Sequence, residues 1–247
     1  MLLLHGFMGS SADWLTVTAA LEGRYRCIAV DLPGHGASTG LPSGAYTIEG
    51  AARALLDLLD DLGVERPVIA GYSMGGRLAL YLALRHPDRL SGLILESASP
   101  GLKNEEERIA RRAADEERAF RLESGDFETF LRDWYRQPLF APLTRDDERL
   151  RRTLEARRKN DPRELAKSLR GLGTGSQPSL WEELPDLRVP ALAVAGELDE
   201  KFVGISRRME RACLHMRTAI VPGVGHNVRV EAHTAYLRLL RNFLDGA

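Results

Sequence analysis

Gly71-Tyr72-Ser73-Met74-Gly75-Gly76 sits between the apolar run Pro67-Val68-Ile69-Ala70 and the segment Arg77-Leu78-Ala79-Leu80-Tyr81-Leu82-Ala83-Leu84-Arg85-His86. The first flank, with its β-branched residues, reads as a buried strand. The second reads as a helix halted by Pro87. A serine therefore occupies a strand-to-helix turn, with glycine two residues to either side. A G-x-S-x-G pattern occurs often by chance, but in this context it predicts a tight nucleophile elbow. Glycines serve there because the turn is narrow and the helix packs closely on the strand. The turn lifts the Ser73 hydroxyl above the sheet, and the helix N-terminus beneath favours developing negative charge.

The elbow lies in a chain of 247 residues, a length that suits one α/β domain with an insertion or two small domains. With 44% hydrophobic and 28% charged residues, the composition is that of an ordinary soluble protein able to bury a full core. A net charge of -1 gives no reason to expect nucleic acid or an anionic membrane as partner. Cys27 and Cys213 match no metal-ligand spacing. No signal peptide or membrane-length apolar run is present, which points to a reducing cytoplasm.

The same alternation extends outward from the elbow. Leu2-Leu3-Leu4 reads as a strand running into the loop His5-Gly6-Phe7-Met8-Gly9, and Ser11 or Asp13 is a candidate cap for the next helix. Cys27-Ile28-Ala29-Val30 reads as a strand ending at Asp31-Leu32-Pro33-Gly34-His35-Gly36. Thr47 opens a helix with a leucine stripe that ends at Gly63, and Leu93-Ile94-Leu95 is a further strand. From Ser99 to about Leu184 no strand signal appears. That Arg- and Glu-rich stretch, broken by glycines and prolines, reads as a helical insertion. Strands resume at Pro190–Ala195 and Thr218–Val221, and a final helix closes the chain. The division is a core at 1–98 and 185–247 with a helical cap at 99–184.

Alternating strands and helices imply a mostly parallel sheet covered on both faces, with chemistry at the carboxyl ends of the strands. Ser73, Asp199 and His226 each follow directly after a predicted strand, so all three reach the same sheet edge. A histidine activates a serine hydroxyl, and a carboxylate fixes the histidine tautomer. Met74 and Phe7 are placed to supply the two backbone N–H groups of an oxyanion hole. Glu197 competes with Asp199, and His35 with His226. The latter of each pair lies one short turn past a strand end and is preferred. His5 and His35 fit loop-shaping roles better, and Trp134 and Tyr135, taken alone, are ordinary core residues of the insertion.

The order of His5-Gly6-Phe7, Asp31-Leu32-Pro33-Gly34-His35-Gly36, Gly71-Tyr72-Ser73-Met74-Gly75-Gly76, Gly196-Glu197-Leu198-Asp199 and Gly223-Val224-Gly225-His226 resembles the α/β-hydrolase superfamily over essentially the whole chain. Finer features are similar to one family within it, the 2-succinyl-6-hydroxy-2,4-cyclohexadiene-1-carboxylate (SHCHC) synthases of menaquinone biosynthesis. These are Arg77 after Gly75-Gly76, Ser99-Pro100-Gly101-Leu102 with Glu106-Glu107-Arg108-Ile109-Ala110-Arg111, Asp133-Trp134-Tyr135-Arg136-Gln137-Pro138-Leu139-Phe140, and Gly225-His226-Asn227.

The resemblance implies a lyase that needs no cofactor or metal. It removes a ring proton, with Ser73 activated by His226 as base, and expels pyruvate from a small tricarboxylate. It further implies that Arg77, Arg111 and Arg158 bind carboxylates, with the adjacent Arg157 a rival to Arg158, and that Tyr72, Trp134 and Lys201 line the site. The alternatives are a carboxylesterase or carbon–carbon bond hydrolase with the same triad, and a non-catalytic small-molecule receptor. Turnover without a protein partner separates enzyme from receptor. The superfamily usually has two strands ahead of the one at Leu2–Leu4. Without that pair, the strand at Cys27–Val30 is expected to be a sheet edge with unpaired backbone groups.

Overall fold

The computed structural model describes residues 1–246. Six strands are connected by helices: β1 (Leu2–Leu4), α1 (Leu15–Leu21), β2 (Ile28–Val30), α2 (Ile48–Asp61), β3 (Val68–Tyr72), α3 (Met74–Arg85) and β4 (Gly92–Glu96). The insertion follows, with α4 (Glu105–Ser124), α5 (Phe127–Tyr135), α6 (Ala141–Thr144), α7 (Asp147–Arg157) and α8 (Pro162–Leu172). The core resumes with β5 (Ala191–Gly196), α9 (Glu200–Ala212), β6 (Met216–Val221), the single turn α10 (Val228–Glu231) and α11 (His233–Gly246). All pairings are parallel, in the order β2-β1-β3-β4-β5-β6. Among the described residues β2 pairs with β1 alone and forms the edge expected for it.

The strand period of two sorts the apolar residues between faces. Leu2, Leu4, Ile69, Leu93 and Leu95 join α2, α3 and α9 on one side. Leu3, Ala70 and Ile94 join Trp14, Val17, Tyr236 and Leu240 of the α1 and α11 side. Leu2, Leu3 and Leu4 are fully buried, and each such side chain contributes about 1.5–3 kcal/mol of transfer free energy.

Neither Ser11 nor Asp13 caps α1 with its side chain. Ser11 instead gives its N–H to Asp31, and Asp13 turns to Arg157. Thr47 does cap α2, its hydroxyl accepting the Gly50 N–H at 3.0 Å. The insertion has its own apolar centre around Phe130, Leu131, Phe140, Leu165 and Leu169, and Met8 of the loop after β1 joins it. Toward its C-terminal end the chain is again in the core, where Leu172, Leu180, Trp181 and Leu184 pack with α3 and α9 residues. Among the described residues no helix is long and apolar enough to cross a membrane.

The elbow glycines show why the turn is this sequence. A Cβ at Gly71 would lie 2.5 Å from the Gly75 carbonyl, and one at Gly75 would lie 2.5 Å from the backbone oxygens of Leu4 and His5. Backbone of a central strand cannot yield as a flexible side chain can. Gly75→Ala is expected to lower unfolding stability by at least about 1–3 kcal/mol, read as a drop in the urea midpoint. An unchanged midpoint contradicts the close packing of α3 on β1.

Candidate active site

Ser73 leaves β3 with φ 49° and ψ -105°, a left-handed conformation unusual for a non-glycine residue and a store of strain. Its N–H donates to the Glu96 carbonyl at 2.9 Å, while its own carbonyl accepts the Arg77 N–H at 3.0 Å. These bonds hold the turn between β4 and α3. Asp199 follows β5 at the start of α9, and His226 lies in the loop after β6. The His226 Nδ1 is 2.6 Å from Asp199 Oδ2, and its Nε2 is 3.4 Å from Ser73 Oγ. Nδ1 thus donates to the carboxylate and Nε2 faces the hydroxyl as the acceptor. The second distance is long for a hydrogen bond, as resting sites often are before substrate tightens them. Asp199 and His226 are both buried.

The rival residues are engaged elsewhere. Glu197 accepts the Gly223 N–H at 2.9 Å and braces the turn before His226. His35 Nε2 accepts the Met8 N–H at 3.0 Å and its Nδ1 faces the Pro33 carbonyl at 3.1 Å. His5 spans the Leu32 N–H and the Gly6 carbonyl in the same way. With both ring nitrogens occupied, these two histidines shape the loop that carries Phe7. Among the described residues neither the Phe7 nor the Met74 N–H has a protein partner.

Burial pushes the imidazolium pKa of His5 down to about 4 and that of His35 down to about 3. The unfolded chain takes up protons on both rings below about pH 6.5, where the folded protein does not. Their stabilisation is therefore whole above that pH and is lost as pH falls toward the folded values. His35→Gln should lower the urea midpoint at about pH 7.5, and the gap to wild type should narrow as pH falls to about 4.5. A constant gap would mean that His35 is not buried as a neutral ring.

The loop bearing His226 is fastened from below. Ser97 Oγ donates to the His226 carbonyl at 2.8 Å, and the Glu96 carboxylate accepts the Arg229 N–H at 2.8 Å. Glu231 accepts the N–H groups of Gly225 and Asn227 at 2.6 and 3.1 Å. Burial raises the Glu96 pKa, opposed by the Arg229 charge beside it. None of these braces stood out in the sequence, because Glu96 and Ser97 simply end an apolar strand.

A cavity of about 200 Å³ opens over Ser73 between core and insertion. Phe7, Tyr72, Met74, Trp134, Phe140, Phe202 and His226 form its aromatic and apolar wall. Trp134 packs on Phe7 with ring centroids 5.2 Å apart, and Phe202 meets the His226 ring edge-on at 4.7 Å. Burial holds the Tyr72 hydroxyl in its neutral form.

Five cationic residues also line this cavity: Arg77, Arg111, Arg118, Arg157 and Lys201. Arg77 donates to Gln177 Oε1 at 2.9 Å and pairs with no carboxylate among the described residues. Its burial, with repulsion from Arg111, lowers its pKa to about 10, so it stays charged. Arg111 Nε and Arg118 Nη1 share Asp115 Oδ1 at 2.8 and 3.0 Å. Arg157 makes a two-pronged pair with Asp13 at 2.7 and 2.8 Å and also donates to the Tyr135 hydroxyl. Burial works against its charge, but Tyr135 and Asp13 hold the guanidinium above its ordinary pKa. Each of the two aspartates offsets one arginine. Three positive charges therefore face the cavity unbalanced outside the Ser73, His226 and Asp199 cluster.

The expectation for Arg158 is not met. It lies outside the cavity, exposed and clasped by Glu128 at 2.7 Å through two nitrogens. Adjacent positions of a helix point about 100° apart, so when Arg157 faces inward Arg158 cannot. Arg118, Asp115 and Asp13 were missed. Arg118 was within reach of sequence reasoning, since it lies two turns beyond Arg111 on the same helix face. The Asp13 partnership, across 144 residues, carried no local signal. A larger open groove of about 470 Å³ lies behind Asp13 and Arg157, away from Ser73.

Comparison with known proteins agrees with this architecture. The alpha/beta hydrolase fold family model matches residues 1–232. A Bacillus subtilis (strain 168) protein provisionally named SHCHC synthase is 38% identical over 245 residues, covering 98% of this chain and 89% of that protein. The SHCHC synthase of Salmonella heidelberg (strain SL476) is 35% identical over 232 residues, covering 94% and 88%. Among solved structures, MenH from S. aureus superposes with a TM-score of 0.95 at 34% identity, covering 99% of this chain and 92% of that one. The chain belongs to the α/β-hydrolase family and, within it, to the family of the SHCHC synthases.

Proposed function

We propose that this protein eliminates pyruvate from 2-succinyl-5-enolpyruvyl-6-hydroxy-3-cyclohexene-1-carboxylate to give SHCHC, a step of menaquinone biosynthesis. The observation that carries the reading is the charge of the cavity. Three unbalanced cations beside Ser73 match a substrate with three carboxylates. A pocket for neutral acyl groups gains nothing from them, since buried unpaired cations are costly.

The chemistry follows from substrate and product. The ring carbon bearing the succinyl carbonyl holds an acidic proton. Ser73 Oγ, with His226 Nε2 accepting the hydroxyl proton, takes it, and Asp199 stabilises the resulting imidazolium. The C–H electron pair moves into an enolate whose oxygen meets the Phe7 and Met74 N–H groups. The enolate then re-forms its carbonyl, the ring double bond shifts, and the ring-carbon-to-oxygen bond breaks. The enolpyruvyl group leaves as the enolate of pyruvate and is protonated. One carboxylate departs with pyruvate and two remain on the diene. Arg77 and Arg111 bind substrate carboxylates, Trp134 and Tyr72 wall the ring, and Lys201 stands at the rim.

Direct assay of the purified protein with the enolpyruvyl precursor, following pyruvate release, tests the reading. Absence of pyruvate defeats it. The same Ser73, His226 and oxyanion loop also suit ester hydrolysis through an acyl-enzyme, and turnover of a small ester without pyruvate release would favour that alternative.

A further inference from the structure

Helix α4 carries Arg111, Asp115 and Arg118 at positions i, i+4 and i+7, which lie on one face. That face looks into the cavity over Ser73, and both arginines line it. Asp115 is 3% exposed. Its Oδ1 takes one N–H from each arginine, and its Oδ2 has no partner among the described residues. Gly173 closes the wall behind it, since a Cβ there would lie 2.8 Å from Oδ2.

One buried carboxylate thus orients two guanidiniums and neutralises one of them. Arg111 uses only Nε for this contact and Arg118 only Nη1, so each keeps N–H groups for an incoming anion. The other candidates for a third anion-binding arginine already have a carboxylate each. Arg157 is paired through two nitrogens with Asp13 and gives its Nε–H to Tyr135, and Arg158 is held by Glu128 outside the cavity.

We propose that Arg118 is a carboxylate-binding residue of this cavity, set beside Arg111 by the shared Asp115, in the place that resemblance gave to Arg158. The inference deepens the tricarboxylate reading and rests on it. Two neighbouring guanidiniums on one rigid helix face suit one end of a substrate with several carboxylates, and each charge-assisted contact adds both affinity and orientation. Arg118 lies on the insertion rather than at the elbow. Its contact is the same in ground and transition states, so its loss raises KM and leaves kcat nearly unchanged.

The test compares Arg118→Ala, Arg118→Lys and Arg158→Ala in the intact enzyme. With the enolpyruvyl precursor, Arg118→Ala is expected to raise KM about tenfold or more at nearly constant kcat. Arg118→Lys recovers part of this, and Arg158→Ala stays within about twofold of wild type. Calorimetric titration with propane-1,2,3-tricarboxylate reads the same residue without turnover, and there Arg118→Ala should weaken binding about tenfold. Equal tricarboxylate binding by wild type and Arg118→Ala, or an Arg158→Ala defect as large as that of Arg118→Ala, overturns the inference. A wild-type protein that releases no pyruvate defeats the functional reading instead, and the calorimetric comparison then still decides Arg118. Thermal unfolding of Arg118→Ala guards against a merely structural loss, because a weakened cap lowers kcat and Tm together while a lost anion contact moves KM alone.

Discussion

Ser73→Ala and His226→Ala are each expected to reduce pyruvate release by about three to five orders of magnitude, since a catalytic unit fails when any member is lost. The geometry makes the effect chemical rather than structural. Ser73 Oγ hydrogen-bonds only with His226 Nε2, at a long 3.4 Å, and that nitrogen faces the cavity, so its removal costs the fold one weak contact. Tm should therefore stay close to wild type for Ser73→Ala. Asp199→Asn should cost somewhat less than either. It keeps the size of the side chain but loses the charge that stabilises the imidazolium and selects the tautomer with a proton on Nδ1. Glu197→Gln is the control, because its contact is with the Gly223 N–H and not with His226. Ser73→Ala with most of its activity intact would sink the assignment. So would Glu197→Gln proving far more damaging than Asp199→Asn.

Arg77→Ala is expected to lower kcat/KM for the enolpyruvyl precursor about a hundredfold, equivalent to about 2.7 kcal/mol of lost transition-state binding. Arg77 begins the second turn of its helix from Ser73, with its guanidinium enclosed, and its hydrogen bond is to a neutral amide. It is thus the cation nearest Ser73 in sequence without a carboxylate of its own, which a substrate carboxylate would supply on the proposed reading. Hydrolysis of a small neutral ester, where measurable, should hardly change. Arg77→Lys should not restore full activity, because an ammonium cannot reproduce the planar fork. If Arg77→Ala harms a neutral ester as much as the tricarboxylate, the arginine supports the fold of the site rather than its selectivity, and the esterase reading gains.

The sequence by itself determined the frame of this molecule. Apolar runs of strand length, glycine-marked turns and a helix locked to the elbow are local signals, and local backbone sterics convert them directly into β3, the turn at Ser73 and α3. Once the strands are parallel, every strand ends on the same sheet edge, so Ser73, Asp199 and His226 converge whatever the intervening chain does. The expected edge at β2 came instead from the resemblance to the superfamily's sheet order, and among the described residues β2 pairs with β1 alone. What only the tertiary structure decided was which charges of the insertion look inward. Arg157 and Arg158 are indistinguishable in sequence, and the rotation of α7 against the core sends one to Asp13 and the other to Glu128. Likewise helical spacing puts Arg118 on the face of Arg111, but only the docking of α4 turns that face, with the shared bond to Asp115, over the cavity. Helical periodicity fixes which residues share a face. It does not fix where that face points, which is set by long-range packing of Phe130, Leu131, Leu165 and Met8 across the cap and the loop after β1.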